Sequence, residues 1–178
     1  MAKINGVFGT YGSPAAVESA ARGFKDAGFS GSEISAILPD TRDSKQKVAE
    51  TETKAPQRAT GSPGSGVGAA LGWLVGVGAL TLPGIGPVIV VGPLAAALAG
   101  VGIGEAGAGF ARSLIALGIP EADARRYERR MLKGGILVSI HSETAEQFQR
   151  AREIMEITRA EDIASYGDVS NEPSTTAA

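Results

Sequence analysis

The 178-residue chain has no cysteine and a single histidine, His141. That removes disulfides, thiolate chemistry, iron–sulfur clusters and every metal site needing several Cys or His ligands. Charge is scarce too, at 20% of residues against about 25% in an ordinary domain. The net charge of -2 and a pI near 5.5 argue against broad nucleic-acid binding, which needs a basic face to displace counterions. The length admits one compact domain, or one domain with a sizeable insertion, and excludes a large multidomain enzyme. The N-terminus MAKINGVFG lacks a basic stretch followed by an apolar region and a cleavage site, so it reads as cytoplasmic.

The charges that exist are unevenly placed. Residues 1–58 carry eight Lys or Arg and seven Asp or Glu, residues 59–104 carry none, and residues 105–178 carry nine and twelve. Fifteen of the 25 glycines lie between Gly61 and Gly109. Two polar parts therefore flank a glycine-rich apolar insert.

In the first polar part, Ile4 to Phe8 reads as a strand. Ser13 is a helix N-cap with Pro14 at the first helical position, and Val17, Ala20, Ala21 and Phe24 form one apolar stripe. Gly28 stops that helix, and Glu33 to Leu38 reads as a second strand. The last part repeats the pattern. Ile136 to His141 is a strand, Thr144 with Gln147 forms a capping box, Phe148, Ala151 and Met155 continue a helical stripe, and Asp162 to Tyr166 closes with a strand. Two β-α-β units with both helices on one face imply an α+β, ferredoxin-like fold with a four-stranded antiparallel sheet. A further helix starts at Ile119-Pro120-Glu121 and ends at Lys133, Gly134 and Gly135.

Gly64, Gly68, Gly72 and Gly76 recur every four residues, which on a helix makes a strip without side chains. Ala96, Gly100, Gly104 and Ala108 offer a second such strip. The segment PGIGPVIVVGP between them breaks the chain, so the expected insert is a hairpin of two helices, Gly66 to Leu82 and Val88 to Gly104, with facing zipper strips. Interior glycine costs about 1 kcal/mol relative to alanine, so this pattern demands close packing or lipid. Both environments remain open. The two runs fall slightly short of the roughly 20 residues of a spanning helix. Lys45, Lys47, Lys54 and Arg58 before the insert, and the arginines after it, would hold both flanks in the cytoplasm if the hairpin enters an inner membrane. Arg125, Arg126, Arg129 and Arg130 could then touch anionic lipid, although Glu121 to Arg125 also forms an ordinary helix-supporting pair. Trp73 reads as a packing residue of the first zipper helix.

No motif carries a reaction. His141 lacks a motif partner and reads as a strand-end polar residue. GSPGSG at 61–66 and GIGEAGAG at 102–109 lack the ending of a P-loop and the strand-turn-helix context of a dinucleotide site. No catalytic, cofactor or metal residue is assigned.

The segments VFGTYGSPAAVESAARGFKDAGFSGSEISAILPD, ALGWLVGVGALTLPGIGPVIVVGPLAAALAG and LGIPEADARRYERRMLKGGILVSIH resemble the bacterial general stress protein 17M-like and low-temperature-induced protein family. The PGIGP turn at 83–87, GPLAAALAG at 92–100, and GIPEADARRYE continuing to KGGILVSIH carry that resemblance, which spans most of residues 4–166. It implies a stress context and no catalytic residues. The polar half also resembles a small subunit of a respiratory membrane complex.

The expected organisation is a first βαβ half at 1–40, a flexible linker at 41–65, the apolar hairpin at 66–118, the extra helix and second βαβ half at 119–167, and a disordered tail at 168–178. The expected role is a non-enzymatic stress protein, without cofactor, metal or nucleic acid, that forms a homo-oligomer or attaches to a membrane through the hairpin. The alternatives are a ligand-sensing regulatory module and an accessory subunit of a membrane complex.

Overall fold

A computed structural model describes residues 4–39, 77–82, 85–100 and 109–167. The expected linker and tail lie outside these residues. Strand β1, Gly6–Tyr11, leads into helix α1, Pro14–Asp26, whose first turn is closed by the Ser13 hydroxyl accepting the Ala16 N–H at 3.3 Å. The stripe Val17, Ala20, Ala21 and Phe24 is buried. Gly28, at a φ of 88°, turns the chain toward strand β2, Ile34–Pro39.

The insert departs from expectation. Two segments assigned to zipper helices by spacing are extended: β3, Val77–Leu82, and β4, Gly86–Val91, pair antiparallel from Val77↔Val91 to Leu82↔Gly86. The physical reason is side-chain shape. Val88, Ile89, Val90 and Val91 are a β-branched run, stiff at χ1, that packs well on a pleated surface and is covered on both sides here. Helix begins only at Leu94, where α2 is described over Leu94–Gly100, and α3 follows at Phe110–Ala116.

The remaining elements follow their sequence signals. Helix α4 is Glu121–Leu132, with Glu121 and Asp123 in its first turn and Arg129 and Arg130 in its last, complementing the helix dipole. After β5, Ile136–His141, the capping box of Thr144 and Gln147 opens α5, Ala145–Ile157. Strand β6, Glu161–Tyr166, closes the fold.

The six described strands form one antiparallel sheet in the order β3-β4-β2-β5-β1-β6, inside an α+β fold. The sheet thus has two more strands than the expected four, both from the insert. Period-two alternation sends side chains to two cores. On one face Val7, Ile34, Ala36, Val138 and Ile140 meet α1 and α5. On the other, Phe8, Ile37, Val88, Val90 and Leu137 meet Leu94 and Leu98 of α2, Phe110 and Leu114 of α3, and Tyr127 and Met131 of α4. The described part of the insert therefore buries itself in the domain's own second core.

Candidate functional site

Of the expected zipper residues, Gly64, Gly68, Gly72, Gly76, Gly104 and Ala108 lie outside the described residues, as does Trp73. Ala96 is exposed on α2, and Gly100 is the last described residue of that helix. No described helix is long and apolar enough to cross a membrane.

The arginines of α4 are largely neutralised within the fold. Arg125 donates to Glu121 Oε1 at 2.9 and 2.6 Å. Arg126 lies 3.4 Å from Asp123 and 3.8 Å from Asp162. Arg130 donates through Nε to Asp162 at 2.7 Å and reaches Glu161 at 2.6 Å. The hydrogen bond to Asp162 raises the Arg130 pKa further above its ordinary value. Arg129 alone makes no ion pair among the described residues.

These ion pairs flank a tyrosine network. Tyr166 donates its hydroxyl to Asp123 at 2.9 Å, and Tyr127 faces both the Asp162 carbonyl at 3.2 Å and the Tyr166 hydroxyl at 3.1 Å. Phe8 lies against both rings, with centroids 6.3 Å from Tyr127 and 5.4 Å from Tyr166. Burial is the main cause that raises both tyrosine pKa values, so the hydroxyls stay protonated. Asp162 occupies the left-handed region at a φ of 52°, and the β1–β6 register shifts between Phe8 and Thr10. The network is saturated by its own partners and fastens β6 to α4. Spacing along α4 marks Tyr127 as buried, but only the fold brings Tyr166 to it.

His141 sits at the end of β5 as expected, half-exposed, with Nε2 4.0 Å from Glu143. Its backbone N–H donates to the Glu33 carbonyl at 2.6 Å. Among the described residues no group of three or more His, Asp or Glu could hold a metal ion.

A cleft of about 200 Å³ opens where β1, β2 and β5 pass beneath α2. Cross-strand pairing brings Gly6 opposite His141, and Ser139 between Phe8 and Ser35. Small or polar residues thus occupy the sheet positions that elsewhere on this face hold Ile37, Leu137 and Val90. Phe8, Leu94, Ala97 and Leu117 contribute apolar walls. The Ser35 hydroxyl oxygen accepts the Leu94 N–H at 3.0 Å, seating the start of α2. The Ser139 side chain, in a residue 6% exposed, has no hydrogen-bond partner among the described residues. No sequence motif marks this site, because its three small residues come from three separate strands.

Comparison of the chain with protein-family models, with characterised proteins and with solved structures returned no match, so function must be read from these residues.

Proposed function

We propose that the chain is a non-enzymatic bacterial stress-response protein of ferredoxin-like core, β2-β5-β1-β6, that self-associates through the outer edge of its inserted hairpin. One observation carries this reading: the two edges of the sheet are treated differently. The β6 edge holds Glu161 and Asp162, a positive-φ residue and a register shift, all devices that discourage strand addition. Strand β3, VGALTL, has no charge and no proline, and its outer side has no strand partner among the described residues. It also belongs to the charge-free block of residues 59–104, whose glycine spacing suits close backbone approach. Membrane attachment through the same block is the second outcome to be separated.

Point substitutions in the full chain are the suitable test, because deleting residues 61–118 would remove β3, β4, α2 and α3 and uncover the second core. Sedimentation of the intact protein is expected to show an oligomer. Leu80→Lys, which puts a charge on the edge strand, and Gly72→Leu, which fills the zipper strip, are each expected to shift it toward monomer. A monomeric intact protein refutes self-association. A monomer that co-sediments with anionic vesicles supports attachment instead.

A further inference from the structure

We infer that the cleft beneath α2 is a binding site for a small neutral molecule, a single ring or short aliphatic body carrying one carbonyl or hydroxyl group. Size sets the first limit. An apolar cavity of about 150 Å³ accepts benzene, so about 200 Å³ admits one ring with a polar substituent. Charge sets the second. Among the described residues no Lys, Arg, Asp or Glu lines the cleft, and the one titratable side chain they place in its lining, His141, is half-exposed to solvent. A charged ligand would lose its hydration without gaining a buried counter-charge.

The polar group of the ligand is specified by the serines. The Ser139 hydroxyl has no hydrogen-bond partner among the described residues and lines the cleft, so it is free to bond a molecule that enters. Ser35 is its cross-strand neighbour and uses its oxygen to accept the Leu94 N–H, which leaves its proton able to donate. Two neighbouring serines with donor capacity therefore line the cleft beside apolar walls, an arrangement that suits one acceptor oxygen on an otherwise apolar molecule. At Gly6, opposite His141, an added Cβ would collide with the Ile140 carbonyl oxygen, so the missing side chain lets β1 lie close against β5 at the floor of the cleft.

Ligand binding here is independent of self-association, since one is read at individual amides and the other by mass. Cyclohexanone and benzyl alcohol, each titrated into the full-length ¹⁵N-labelled protein to its solubility limit, are expected to move the amide signals of Gly6, Ser35, Ser139 and His141 saturably. Sodium benzoate is expected to leave them in place. Ser139→Ala should weaken binding several-fold, and Ser139→Leu, which fills the cleft, should abolish it. Absence of saturable shifts with both neutral probes would overturn the inference. So would unchanged binding by Ser139→Leu, or benzoate binding as tightly as benzyl alcohol. If Ser139→Leu does not fold, Ser139→Ala decides, and unchanged affinity in that variant removes the serine from the site.

Discussion

Tyr166 donates its hydroxyl proton to Asp123 at 2.9 Å and thereby joins the last strand to the first turn of α4. The contact does two jobs at once, because the same ring packs edge-on to Phe8 at 5.4 Å. Hydroxyl and ring can be separated by substitution. Tyr166→Phe keeps the ring and leaves Tyr127 its Asp162 carbonyl, so it should cost about 2 kcal/mol, the net worth of a hydrogen bond to a charged carboxylate. Tyr166→Ala also removes the packing and should cost about 3 kcal/mol. Urea unfolding of the two variants checks this, and a Tyr166→Phe midpoint identical to the parent would show that the hydroxyl contributes nothing.

Alkaline pH tests all three tyrosines together, since Tyr11, Tyr127 and Tyr166 are the only ones in the chain. Burial pushes Tyr11 from its ordinary 10.0 up to about 12, with a hydrogen bond to Thr158 opposing the rise, and burial pushes Tyr127 and Tyr166 higher still. Each group keeps its proton in the folded protein at a pH where the unfolded chain loses it. Their contribution to stability is therefore complete below about pH 10 and declines as the pH climbs through the folded values. The slope is up to about 1.4 kcal/mol per pH unit for a fully shifted group such as Tyr11. Phenolate absorbance should stay flat through pH 10 and then rise, in step with loss of ellipticity if unfolding comes first. A tyrosine titrating near 10 in the native protein would contradict the burial of these rings.

Legibility differs sharply between the polar parts and the insert. Around α1 the local signals agree with the tertiary need: Ser13 caps, Pro14 starts, and every residue of the apolar stripe is buried. The same holds for β5 and for the capping box of α5. In the insert the glycine spacing supplies a helical period, while Val88–Val91 supplies β-branched residues without alternation, because β4 is covered on both faces. A one-dimensional reading has no means to weigh the two, and the sheet settles it by giving β4 partners on both sides, β2 and β3. The cleft is hidden for a different reason. Gly6, Ser35 and Ser139 are unremarkable singly and become a site only through strand register.

Two glycines of the inserted hairpin separate backbone strain from steric exclusion. Gly86 and Gly92 both lie in the left-handed region, at φ values of 97° and 90°. A Cβ on Gly86 would meet open space, so Gly86→Ala should cost only the backbone penalty of about 1–2 kcal/mol. A Cβ on Gly92 would collide with the Ile34 carbonyl oxygen and come within 2.8 Å of Ser35 Cα, both in β2. That backbone cannot yield without parting β4 from β2 and lifting Leu94 off the Ser35 hydroxyl. Gly92→Ala should therefore cost several kcal/mol more than Gly86→Ala and loosen the roof of the cleft. Thermal unfolding of both variants measures the difference, and equal melting temperatures would mean that α2 does not enter the domain as tightly as its contact with β2 requires.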